Sequence, residues 1–124
     1  MIGRENRFHG RASIQRLYKA GKSTRSGSLA LRYASSGRTS YRLAVVVSRK
    51  VSKSAVVRNR IRRRLYENVR ILSGSFAAPY DLAIIVYDAS VADMAAGKVT
   101  TEVENLLKKA KLTSAKPAPR DIVD

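Results

Sequence analysis

Between Ser54 and Leu72 the apolar residues Val57, Ile61, Leu65, Val69 and Leu72 recur at spacings of four, four, four and three. Only an α-helix, which turns about 100° per residue, lines residues so spaced into one stripe. The chain must therefore contain a long amphipathic helix lying on an apolar surface, for which a sheet is the expected partner. The other side of that helix is equally constrained. Arg58, Asn59, Arg60, Arg62, Arg63 and Arg64 occupy the same span, interrupted only by Ile61. Arg58 and Arg62 stand one turn apart, as do Arg60 and Arg64, with Arg63 near Asn59 and Arg60. If the stripe is buried, these side chains project together on the opposite side. No carboxylate lies within the cluster, and Glu67 is the first one downstream. Like charges one turn apart oppose helix formation. The arrangement becomes favourable when phosphates sit between the guanidinium heads. A solvated helix face is the ordinary alternative, but such faces mix basic with acidic residues.

The rest of the chain extends this polarity. It has 25 Lys and Arg against 9 Asp and Glu, a net charge of +16. Residues 1–72 hold 19 of the basic residues and only two acids, Glu5 and Glu67, whereas residues 73–124 hold six basic residues and seven acids. A charge gathered in one half of the chain makes a basic face, the electrostatic footprint of nucleic-acid binding. Within that half Arg outnumbers Lys, and the planar guanidinium suits phosphate and stacks on bases. A basic protein attracted to anionic lipid usually relies on one amphipathic helix with large apolar residues opposite its charges. Here the charges spread over a mixed helix and strand pattern.

Several function classes drop out. The chain has no cysteine, which excludes disulfide frameworks, thiolate metal sites and Cys nucleophiles. His9 is the single histidine and cannot supply both a triad and a His-ligated metal. There is no Walker-type glycine loop and no paired carboxylate site. Asp81, Asp88 and Asp93 are scattered around strand ends and do not read as a metal site. No apolar run reaches the roughly 18 residues of a membrane span, and the N-terminal residues lack an apolar signal segment. These features predict a soluble, cytoplasmic protein with no catalytic machinery of its own.

The 124 residues predict one domain over residues 1–112, followed by a Pro-containing tail, residues 113–124, without fixed structure. Ile14, Leu17 and Tyr18 mark a short helix ending at Gly21. Lys22 to Ser28 reads as a loop or a short edge strand, and Leu29 to Tyr33 as a strand. Tyr41 to Val47, β-branched and largely apolar, reads as the strongest and most central strand. It is expected to form an antiparallel hairpin with Leu29–Tyr33. A basic connection, Ser48 to Lys53, leads into the long helix, and Arg49, Lys50 and Lys53 extend its basic patch. Asp81 to Tyr87 reads as a buried strand and Lys98 to Leu112 as a last amphipathic helix. Tyr18 and Tyr33 are candidate base-stacking platforms on an open sheet face, with core packing an equal alternative for each.

The segment Ala55-Val56-Val57-Arg58-Asn59-Arg60-Ile61-Arg62-Arg63 resembles the arginine–asparagine–arginine signature of the bacterial ribonuclease P protein subunit. Like that signature, it follows a Val-rich strand ending in Val47-Ser48-Arg49-Lys50. The likeness in order and spacing runs over about residues 6–112, from Asn6-Arg7-Phe8 before the first helix to the final helix. It implies an α/β (α+β) two-layer sandwich with a four-stranded mixed sheet and about three helices. The extra strand would fall near Lys22–Ser26, and the signature helix would sit in a left-handed βαβ crossover, against the usual hand. It further implies a protein that pairs with a catalytic RNA, which with bound Mg²⁺ removes the 5′ leader of precursor tRNA. No obligate protein partner is evident. Carried onto this chain, Arg58, Asn59, Arg60, Arg62 and Arg63, with Arg64, would contact the catalytic RNA, supported by Arg49, Lys50 and Lys53. Phe8, Tyr18 and Tyr33 would line a cleft for the single-stranded leader. Ile14 stands where the family often carries an aromatic residue, and Tyr66 where a further basic residue is frequent. A ribosomal or other structural RNA-binding protein is the alternative reading, and a nuclease in its own right a third.

Overall fold

The computed structural model describes residues 11–35 and 40–112. The chain runs through helix α1 (Arg11–Ala20), strands β1 (Lys22–Ser26), β2 (Leu29–Ser35) and β3 (Arg42–Val46), helix α2 (Ala55–Leu72), strand β4 (Tyr80–Val86) and helix α3 (Ala96–Lys109). Short 3₁₀ turns, Ser73–Ser75 and Ala89–Ala92, flank β4. The four strands form one mixed sheet in the order β1-β2-β4-β3, antiparallel except for the parallel β3–β4 pair. The expected tail, residues 113–124, and Phe8 lie outside the described residues. No helix among the described residues is long and apolar enough to cross a membrane.

Two expectations about the strands are corrected here. The apolar strand around Tyr41–Val47 is not central: β3 is an edge strand, hydrogen-bonded to β4 alone. Nor does it make a hairpin with β2, since β4 lies between them, registering Leu31 with Ile84 and Val45 with the same Ile84. An unbroken apolar run reports burial on both faces, which a covered edge strand satisfies as well as a central one. What decides the pairing is the long helix that follows β3. A strand followed by a helical crossover returns parallel and adjacent, so β4 docks beside β3 and occupies the middle. The hairpin of this sheet is β1–β2, closed by Gly27-Ser28 between the paired Ser26 and Leu29. Gly27 has φ +58°, and a Cβ there would meet the Glu102 carboxylate at 2.9 Å, so the turn requires glycine twice over.

Side chains alternate between the two faces of the sheet. One face presents Leu29, Leu31, Leu43, Val45, Leu82, Ile84 and Val86 to α2 and α3, and all are buried. The stripe residues Ile61, Leu65 and Val69 of α2 are fully buried there, joined by Val99, Val103, Leu106 and Leu107 of α3. The other face packs more thinly, with Leu17 of α1 against Ala44 and Ala83. Arg42 and Asp81 pair across the β3–β4 register through two hydrogen bonds of 2.8 Å, which raises the Arg42 pKa. Asp81 is thereby the partner of a half-buried guanidinium.

Helix α3 ends in a Schellman turn: the Leu112 amide donates to the Leu107 carbonyl at 3.1 Å and the Lys111 amide to the Lys108 carbonyl at 3.0 Å. This turn needs a left-handed residue, and Lys111 supplies it at φ 59°. A Cβ in that region costs roughly 1–2 kcal/mol. Lys111→Gly is therefore expected to stabilise the domain by about 0.5–1 kcal/mol in urea unfolding, and a decrease in stability would contradict the strain at this position.

Candidate nucleic-acid interface

The N-terminus of α2 fixes the basic ridge in place. Ser54 caps the helix, its Oγ accepting the Val57 amide at 3.2 Å. Val51 packs against the core, so the connection before the helix turns Arg49, Lys50 and Lys53 outward, all exposed. With Ile61 and Leu65 completely buried, the arginines emerge on the far side, as the periodicity requires.

They do not emerge equally. The expectation that all the heads project together is corrected at two positions. Arg64 is half-buried, and its guanidinium donates to the carbonyls of Val91 at 2.8 Å and Ala92 at 3.1 Å, ends of the 3₁₀ turn after β4. Arg58 donates to the Ser52 carbonyl at 3.0 Å and ties the basic connection to the helix. Arg62 is oriented by Asn59, whose Oδ1 accepts from it at 2.7 Å. Arg60 and Arg63 are the exposed crest. Arg60, Arg63, Arg64 and Glu67 line an open hollow of about 380 Å³. The sequence shows no acid within the cluster, but the fold brings Asp93 to 3.6 Å from Arg60. Both side chains are exposed, so this pair contributes little and yields readily to phosphate. Glu67 is engaged by Arg70, whose hydrogen bonds hold the carboxyl down to about 2. It stays ionised and paired with Arg70.

The thinly covered face of the sheet makes a second surface. Tyr18, at the end of α1, is 38% exposed. The Arg32 guanidinium lies 5.1 Å from the Tyr18 ring centre and donates to the Tyr18 carbonyl at 2.6 Å. Burial pushes the Tyr18 hydroxyl pKa up, against an opposing pull from Arg32 and with a further push from Tyr87. Ala30, Ile85 and Val46 share this face by register and alternation.

Tyr33 does not belong to it. Neighbouring Arg32 faces the cleft, so Tyr33 points to the opposite side, where it packs against the α2 and α3 core. A strand presents alternate residues to one face, and a one-residue difference in register moves a side chain through the sheet. The sequence reading missed Arg32 and Tyr87 for the same reason. The alternation downstream of the buried Val86 was the signal that places Tyr87 on the cleft side. Among the described residues no three His, Cys, Asp or Glu side chains converge as a metal site.

A mixed sheet backed by a helix with an exposed guanidinium crest, and carrying on its other face an open cleft of tyrosine and arginine, defines a small RNA-binding α+β protein. Comparison with known proteins makes this specific. Residues 2–111 match the Ribonuclease P family. The chain is 39% identical over 103 residues to the ribonuclease P protein component of Clostridium kluyveri, covering 82% of this chain and 90% of that protein. It is 32% identical over 103 residues to that of Caldanaerobacter subterraneus subsp. tengcongensis, covering 83% and 87%. Its fold superposes on the Staphylococcus aureus RNase P protein with a TM-score of 0.77 at 27% identity, covering 88% of this chain and 98% of that one. For the Thermotoga maritima RNase P protein the TM-score is 0.74 at 25% identity, covering 83% and 96%. The chain belongs to the ribonuclease P protein family, as its signature implied, and is the protein subunit of that endoribonuclease, whose chemistry is carried by RNA.

Proposed function

We propose that the crest of α2 docks on the catalytic RNA and that the α1 cleft receives the 5′ leader of precursor tRNA. The exposure of Arg60 and Arg63 on a helix locked by its buried stripe carries this reading. Asn59 and Arg62 act as one hydrogen-bonded unit beside them, Arg58 braces the connection, and Arg49, Lys50 and Lys53 extend the contact. Arg64 serves the protein's own fold. In the cleft, Tyr18 with Arg32 over it offers a platform for an unpaired base.

On this reading the arginines neutralise phosphate repulsion between catalytic RNA and substrate, and no side chain performs chemistry. Ribonuclease P is a metal-dependent ribonucleoprotein. The carboxylates nearest the crest, Glu67 and Asp93, face arginines, so these residues do not fit a protein-held cation, and Mg²⁺ belongs to the RNA. The complex works in the cytoplasm, and its partners are the catalytic RNA and precursor tRNA.

The test is to recover the RNA bound to the tagged chain in cells, sequence it, and reconstitute the two components. The RNA subunit of ribonuclease P should dominate, and the protein should lower the Mg²⁺ needed for leader removal. Ribosomal RNA in its place, or cleavage by the protein without RNA, would overturn the proposal.

A further inference from the structure

The cleft face carries a second tyrosine–arginine pair that the leader reading above does not use. The Arg25 guanidinium lies over the Tyr87 ring, 4.3 Å from its centre. Arg25 pairs with Ala30 across the β1–β2 ladder, and Ala30 with Ile85, so Arg25 and Ile85 lie in one row of the cleft floor. Arg32 lies in the next row, opposite Ala83 and Ser23. Rows on one face of a sheet are roughly 7 Å apart, two residues of rise. Tyr87 extends past the end of β4 on the same face, its amide donating to the Ser28 carbonyl at 2.9 Å.

The pair is held from behind. Lys109 of α3 reaches across to the hairpin and donates to the Arg25 carbonyl at 2.8 Å. The hairpin turn at Gly27 leaves no room for a Cβ against Glu102. Strand β1 is thus tied to α3 at Arg25 itself, and the turn that follows lies close against α3 at Gly27. Tyr87 remains 52% exposed and Arg25 is exposed. A large ring kept in water by a short, anchored strand is not core packing.

We infer that Arg25 and Tyr87 form a second base platform, taking the unpaired leader nucleotide next to the one on Tyr18 and Arg32. The inference rests on the leader occupying this cleft. The occupant is single-stranded RNA because each platform joins an aromatic ring, which any base can stack on, to a cation that attracts the adjoining phosphate. Ala30 and Ile85, in the row of Arg25, give the cleft an apolar floor beside the platforms, and Asp81 on the same face is occupied by Arg42.

The experiment uses the reconstituted holoenzyme and precursor tRNAs whose leaders are shortened one nucleotide at a time, with the dissociation constant measured for each. The native protein should show two successive gains in affinity as the leader lengthens. Tyr87→Ala should remove one gain, a loss of roughly 5- to 150-fold, the range of a single base–aromatic stack. Tyr87→Phe should restore it, and Arg25→Gln should weaken the same step. Tyr18→Ala should remove the other gain. If Tyr87→Ala leaves the length profile intact while Tyr18→Ala alters it, the second platform is refuted and the cleft reading survives. If neither changes the profile, the leader does not lie here and both fail.

Discussion

Replacing Arg60 and Arg63 together by alanine is expected to weaken binding of the catalytic RNA by tenfold or more for each arginine, with the fold intact. Hydrogen bonds to charged groups contribute about 1.5–3 kcal/mol apiece, and each 1.4 kcal/mol is a factor of ten. Both side chains are exposed, and the nearest ion pair, Arg60 with Asp93, is loose at 3.6 Å. Their removal should therefore shift folding stability by no more than about 0.5 kcal/mol. The salt dependence identifies the mechanism. Losing two phosphate contacts should flatten the slope of log K against log salt by roughly 1.4–1.8. At low Mg²⁺ the variant holoenzyme should cleave precursor tRNA poorly, and high Mg²⁺ should recover much of the activity because the cation substitutes for the lost charge. Native affinity and an unchanged slope in the double variant would place the RNA on another surface.

Arg64→Ala should behave in the opposite way, though it is the next residue along the same basic run. Its guanidinium donates to two backbone carbonyls, Val91 O and Ala92 O, at the end of the 3₁₀ turn. Losing a half-buried charged donor costs about 1.5–3 kcal/mol. In a domain of this size that is a fall in thermal midpoint of roughly 5–15 °C. The effect on RNA binding should be small once the protein is compared at a temperature where it is folded. A variant that melts normally but binds RNA weakly would show that Arg64 belongs to the crest after all.

The contrast between these neighbours marks where reading a sequence succeeds. The existence and extent of α2 were legible because five apolar residues at helical spacing permit no other arrangement, and the structure ends the helix at Leu72 as that spacing requires. The end of α1 at Gly21 and the buried strand around Ile84 were legible on equally local grounds. Gly21 is compelled by contact: a Cβ there would approach the Leu17 carbonyl oxygen to 2.5 Å. The place of β3 was not legible, because burial on two faces is common to a central strand and to an edge strand sandwiched between α1 and α2. The facing of Tyr33 and Arg32 was not legible either, since one residue of register exchanges them.

By itself the sequence determined a basic helix face with an apolar back, a chain without thiolate chemistry, and the family signature. These are properties of composition and of periods shorter than one helix turn or two strand residues, which local sterics dictate. Tertiary structure alone decided which arginines are free. Arg64 finds carbonyls in the 3₁₀ turn beyond β4, and Asp93 reaches Arg60 from the same side, whereas Arg58 is held by the connection just before its own helix. Whether a guanidinium meets a carbonyl, a carboxylate or water depends on what the fold carries alongside it, and no local spacing encodes that.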